Sequence, residues 1–170
     1  MAIEVGDSCA NLSGQYVGET IISMTGASTA GTITQYSVQI IAAVGDKGIE
    51  FALFTESGGN LSYISGTQTG VMTNPSGNTG CCAFTAGVDF TLSTQASVGD
   101  YVGCYYQSSQ EYATSGGNGS YIFLDENVCE LSGQTPDAND ADSATTVGGD
   151  ITAGGGGIKK AGAMYHYMNH

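Results

Sequence analysis

The strongest alternation in the chain places apolar residues at Tyr36, Val38, Ile40, Ala42 and Val44, with Ser37 and Gln39 between the first three. Side chains of a strand point alternately to its two faces, so this spacing predicts a long strand with one face buried throughout. Ile41 adds an apolar residue to the second face, which predicts burial on both sides at the far end. Gly45-Asp46-Lys47-Gly48 predicts a turn, and the returning strand carries Ile49, Phe51 and Leu53 on one side. A second turn at Ser57-Gly58-Gly59-Asn60 leads to Leu61-Ser62-Tyr63-Ile64, so the region reads as an antiparallel meander of two hairpins.

The second half repeats the theme. Cys82, Phe84, Ala86, Val88, Phe90 and Leu92 fall on one face of a predicted strand, with Thr85, Gly87, Asp89, Thr91 and Ser93 on the other. Tyr101 to Tyr106 and Tyr121 to Leu124 are further strands, and a hairpin between 84–92 and 101–106 would turn over 94–99. No long segment repeats its apolar residues at the 3.6-residue spacing of a helix. The fold class predicted is all-β, an antiparallel jelly-roll-like β-sandwich with an extended C-terminal arm. Its expected core is Tyr36, Val38, Ile40, Phe51, Leu53, Phe84, Val88, Phe90, Leu92, Val102 and Phe123.

Composition narrows what such a domain does. The 170 residues suffice for one domain with a real core. Charged residues make up 11%, and 27 glycines suit many tight turns. Sixteen acids against three lysines, with a net charge of −13, argue against nucleic acid and against anionic membranes, because both are held by Lys and Arg. The first residues carry no basic and apolar signal-peptide pattern, so the expectation is synthesis in the cytoplasm without a leader. No apolar stretch is long enough for a membrane-spanning helix.

Beyond 133 the character changes. Residues 1–133 are read as the sandwich domain, 134–157 as an acidic, glycine-rich linker or arm, and 158–170 as a C-terminal attachment peptide. Asp137, Asn139, Asp140 and Asp142 bring four oxygen-bearing side chains into six residues, a weak calcium candidate that lacks the glycine and distal glutamate of an EF-hand loop. The terminal peptide holds two of the three lysines. Ile158, Lys159, Lys160, Met164, Tyr165, Tyr167 and Met168 are the expected partner-binding residues, with four glycines at 154–157 giving them reach.

Catalytic chemistry finds little footing. The two histidines, His166 and His170, both lie on the terminal peptide, so no serine or cysteine in the body has a histidine base nearby in sequence. No cofactor motif occurs. Five cysteines without a CxxC pair are read as free, mostly buried thiols, not as a zinc site or a disulfide framework. Ten tyrosines and no tryptophan include Tyr101, Tyr105, Tyr106, Tyr112 and Tyr121, a set suited to a subunit interface or to stacking on a sugar.

The run Phe90-Thr91-Leu92-Ser93-Thr94-Gln95-Ala96-Ser97-Val98-Gly99-Asp100-Tyr101-Val102-Gly103-Cys104-Tyr105-Tyr106 resembles the strand, Gly-Asp corner and strand of jelly-roll sandwiches of the C1q/tumour-necrosis-factor type. The stretch 111–121, from Glu111 through Gly116-Gly117-Asn118-Gly119 to Tyr121, is similar to segments of phage and environmental β-sandwich proteins. The resemblance spans about 40 residues and brings no catalytic residue with it. It implies a sandwich, often trimeric, displayed on a particle surface. The expectation is therefore a non-catalytic structural or display protein, in a tailed-phage virion as a head decoration or tail-fibre subunit. Its partners would be its own copies, as a homotrimer, and other particle proteins. The alternative is a module that binds carbohydrate or a cell surface.

Overall fold

The structure is a computed structural model that describes residues 4–7, 19–40, 48–73, 80–106, 120–124, 127, 131–140 and 147–153. Within them lie twelve strands: β1 (Val5–Gly6), β2 (Glu19–Ser23), β3 (Gly31–Ile40), β4 (Gly48–Ser57), β5 (Asn60–Tyr63), β6 (Met72–Thr73), β7 (Gly80–Thr85), β8 (Gln95–Ala96), β9 (Tyr101–Tyr106), β10 (Ser120–Leu124), β11 (Ala138–Asp140) and β12 (Gly148–Ala153). They form two antiparallel sheets. The smaller has the order β1-β12-β3-β7, with β8 also on β3; the larger runs β11-β10-β2-β9-β4-β5, with β6 also on β4.

The pairings are nested. β1 pairs with β12, β2 with β9, β3 with β7 and β4 with β5, so the first strand meets the last and the innermost pair is a hairpin. Successive pairs alternate between the two sheets, which is the rolled-up long hairpin of a jelly roll. Its tip is the turn Gly58-Gly59, where both residues have positive φ, 63° and 87°, a conformation that glycine adopts without a steric penalty.

Between the sheets, alternate residues pack as the pattern predicts. Tyr36, Val38 and Ile40 of β3 and Phe84 of β7 meet Ile49, Phe51 and Leu53 of β4 and Val102 and Cys104 of β9. Tyr36 stacks on Phe51 with ring centroids 4.8 Å apart and planes at 3°, and Phe90 and Phe84 tilt against the pair. Ile33 also faces inward, although it is an odd number of residues from Tyr36. A bulge in the β3–β12 ladder makes this possible: Gln35 pairs with Asp150 but Ile33 with Ile151, so Thr34 is an extra residue.

Four expectations need correction. β3 and β4 do not form the expected hairpin, because they belong to different sheets, and the turn expected at 45–48 lies largely outside the described residues; the β4–β5 hairpin does form. Nor do 84–92 and 101–106 pair, since β7 lies on β3 while β9 lies between β2 and β4. The predicted strand 82–92 breaks at Gly87 (φ 80°), where the Asp89 carboxylate accepts from the Thr85 amide and closes a turn. Val88 at its tip is 81% exposed, not core. Finally, the sheets do not stop at 133. β12 lies between β1 and β3 in the smaller sheet, so the stretch 148–153 of the expected linker is interior strand.

The described parts of the segment 107–147, between β9 and β12, do more than connect. β10 extends the larger sheet beyond β2. The chain then borders the opposite edge, where Leu61 and Gln134 exchange backbone hydrogen bonds of 2.8 and 3.0 Å and the Tyr63 amide donates to Leu131. Four residues after Gln134, Ala138 begins β11 on the free side of β10. On a flat sheet those two positions would lie six strand spacings apart, about 29 Å. The chain from Gln134 to Ala138 reaches at most about 14 Å. The larger sheet is therefore rolled, and 131–140 closes it into a ring with β5, β4, β9, β2 and β10.

The ring has its own filling. Ile22, Ala52, Phe54, Leu61, Phe123 and Leu131 form a second buried cluster, separate from the core between the sheets. β4 consequently has both faces buried along Ile49 to Phe54.

Candidate functional site

The inner wall of the rolled sheet carries the tyrosines. Tyr101 and Tyr105 of β9 and Tyr121 of β10 pack against the second cluster together with Tyr63 of β5, all four half-buried. Their placement follows from register. Tyr121 stands opposite Ile22, which stands opposite Gly103, and Phe54 has Tyr101 on one side and Tyr63 on the other. Gly103 is the gap that lets these rings close in. A Cβ there would sit 2.7 Å from Ile22 Cγ1 and 2.8 Å from Phe54 Cε2.

At one end of the ring Tyr101 and Tyr121 meet edge to face, with centroids 6.2 Å apart and planes at 90°, although β2 separates their strands. Phe54 and Tyr63 meet similarly at 6.5 Å and 62°. Glu56 follows on the same face of β4, opposite Leu61. It is exposed, and its Oε1 accepts from the Gly59 amide. Partial burial, then Tyr101 and the Glu56 carboxylate, push the Tyr121 phenol above its usual pKa: burial desolvates the phenolate, and the two neighbours oppose a negative charge beside them. At another position on this wall Glu50 is buried opposite Tyr105 and accepts from Gln68 Nε2 at 3.0 Å.

The remaining expected site residues fall elsewhere. Tyr106 stands opposite Ile49 at the end of β9. Asp137 is exposed, while Asn139 and Asp140 are successive residues of β11 opposite Tyr121 and Ser120. Tyr112, Asp142 and all of 158–170, including Ile158, Lys159, Lys160, Met164, Tyr165, Tyr167 and Met168, lie outside the described residues. Tyr63, Phe54 and Glu56 were not among the expected site residues. Their signal was the unbroken apolar run Phe51-Ala52-Leu53-Phe54, which marks a strand buried on both faces, followed by an alternation that carries Glu56 onto the Phe54 side.

Several polar side chains act as fasteners. Ser23 and Thr25 donate to the two oxygens of Asp7 at 2.8 and 2.9 Å, tying the stretch after β1 to the end of β2. Asp100 accepts from the Ser97 amide at 2.7 Å in the turn before β9. Thr67 and Thr69 receive the Leu53 and Phe51 amides at 3.0 Å, continuing the edge of β4 between β5 and β6.

The cysteines correct another expectation. Cys81 is disulfide-bonded to a partner outside the described residues. Its neighbour Cys82 keeps a half-buried thiol whose pKa burial raises, and Cys104 keeps a thiol buried between the sheets. Alternation along β7 explains the split: Cys81 is exposed and Cys82 packs against the core.

No family model, curated protein or solved structure matches this chain.

Proposed function

We propose that the protein is a non-catalytic structural or display module of an assembled particle. The observation that supports this reading best is the jelly roll with its rolled larger sheet: two separately filled apolar clusters in one small domain make a rigid unit. Jelly rolls serve as capsid and lectin domains, where a compact body presents loops from its ends. The polar groups described above hold turns and strand ends, which suits a scaffold. The tyrosine rings meet one another edge to face at the inner wall, and this favours the display reading over a flat sugar-stacking platform.

The finer assignment, a tailed-phage virion with the module as a head decoration or tail-fibre subunit, follows the resemblance at 90–106 and 111–121. In that setting the module is a homotrimer and the peptide 158–170 attaches it to neighbouring particle proteins. Sedimentation at micromolar concentration tests the self-association: the expected species has three times the 17.3 kDa chain mass. A monomer throughout the accessible concentration range refutes self-driven assembly.

A further inference from the structure

We propose that Tyr63, Tyr101, Tyr121 and Glu56, on the wall that also carries the buried Phe54, form a cup that binds an organic cation: an alkylated ammonium or a guanidinium. This goes beyond the display reading and does not depend on it.

The geometry comes from four strands. β4 supplies Phe54, fully buried in the cluster against which the tyrosines pack, and Glu56 two residues further on the same face. β5 and β9 supply Tyr63 and Tyr101, which flank Phe54 in register. β10 supplies Tyr121, whose ring stands perpendicular to Tyr101 at 6.2 Å. Two aromatic planes at right angles offer a cation one ring face and one neighbouring wall. The negative quadrupole of a tyrosine face attracts a weakly hydrated cation more than a neutral group of equal size. Walls half-buried but not covered provide partial desolvation, which strengthens that attraction.

Charge points the same way. Glu56 is exposed and spends Oε1 on the Gly59 amide, which leaves Oε2 to face a ligand. No lysine, arginine or histidine lies among the described residues, so none there competes for that carboxylate. A net charge of −13 adds a long-range field that draws cations in and repels anions. A phosphate or carboxylate ligand is thereby disfavoured, and an uncharged sugar gains nothing from Glu56.

The test is a titration of the full chain, followed by tyrosine fluorescence or NMR, with choline, with the uncharged tert-butyl analogue of choline and with acetyl-trimethyllysine amide. The cations are expected to bind about tenfold more tightly than the neutral analogue. Tyr101→Ala should weaken choline binding by about tenfold, while Tyr101→Phe, which keeps the ring, should retain it. Glu56→Gln still accepts from the Gly59 amide and should cost about two- to fivefold in affinity, in a variant whose exposed position leaves folding intact. Tighter binding of the trimethyllysine probe than of choline would identify a partner's side chain as the natural source of the cation; the reverse order would identify a free small molecule. Equal binding of the neutral analogue, unchanged affinity in Glu56→Gln, or no binding of either cation at about 100 mM overturns the proposal.

Discussion

Replacing Phe54 by alanine asks whether the far face of the larger sheet is a core or a solvated surface. Phe54 is fully buried, between Tyr101 and Tyr63 and over Gly103. Removing a phenyl ring from a packed interior costs about 3–5 kcal/mol, through lost burial and the cavity left behind. An outward-facing residue on an ordinary solvated sheet costs about 0.5 kcal/mol or less. For a chain of this length each kcal/mol lowers Tm by about 2–4 °C, so the expected fall is about 6–20 °C. Urea unfolding followed by tyrosine fluorescence is a clean assay because the chain has no tryptophan. Phe51→Ala, in the cluster between the sheets, is the reference and should cost a similar amount. Gly103→Ala probes the same place from the other direction. Its Cβ would lie 2.9 Å from the Ile21 carbonyl oxygen as well as against Ile22 and Phe54, and a ladder carbonyl cannot retreat without weakening its pairing. Overpacking of that kind costs about 1–3 kcal/mol. The two changes together should cost less than their sum, because the Phe54 ring is one of the atoms that the new Cβ meets. A Phe54→Ala cost below about 1 kcal/mol, with Gly103→Ala neutral, would mean that the second cluster is not a core.

Thiol titration of the unfolded, unreduced protein should find three of the five cysteines, because Cys81 and its partner are bonded; recovering all five would refute the disulfide. Tyr36 is buried with its hydroxyl near Thr94 but neither oxygen in hydrogen-bonding geometry, and burial, opposed in part by Thr94, holds its pKa well above the usual value. The neutral phenol is thus favoured in the fold, so the corresponding stability is present below the unfolded pKa of about 10 and is lost as pH rises beyond it. Tyr36→Phe should leave stability at pH 7 within about 1 kcal/mol and flatten the alkaline loss; a steeper loss in the variant would contradict this. Truncation after Ala153 should leave Tm unchanged while particle incorporation falls, whereas truncation after 133 should abolish folding by removing β12 from between β1 and β3. A melting curve for the shorter chain that matches the full-length protein would refute that placement.

The strands were legible wherever one face is apolar and the other polar. Tyr36, Val38 and Ile40, and likewise Ile49, Phe51 and Leu53, announced the core between the sheets because their alternation matches the period of a strand. Which strands pair was not legible. A jelly roll joins β1 to β12 across almost the whole chain, and short-range turn signals such as Gly45-Asp46-Lys47-Gly48 say only that the chain reverses, not that the two strands share a sheet. Val88 misled because alternation was carried through Gly87, where the backbone turns. The segment 134–157 looked like a linker because glycine and acids dominate it; yet Gly149 fits within the smaller sheet because it has no side chain. A Cβ on Gly149 would lie 3.1 Å from the Gln35 carbonyl oxygen and 3.2 Å from Val5 Cγ1. The tyrosine set was half legible. Tyr101, Tyr105 and Tyr121 do share one wall, but Tyr63 and Phe54 join them only because the sheet rolls, and no local pattern encodes that.

The closure of that sheet through 131–140 carries the account, and native-state hydrogen exchange tests it residue by residue. The amides of Leu61, Tyr63 and Gln134 donate to Gln134, Leu131 and Leu61 across the closing seam, at 2.8, 2.8 and 3.0 Å. If the ring is closed, these three amides are protected to a degree comparable with Phe51 and Leu53 in the middle of β4, and Phe54→Ala lowers their protection together. Exchange of all three at the rate of an unstructured peptide, with β4 still protected, would contradict the closed ring.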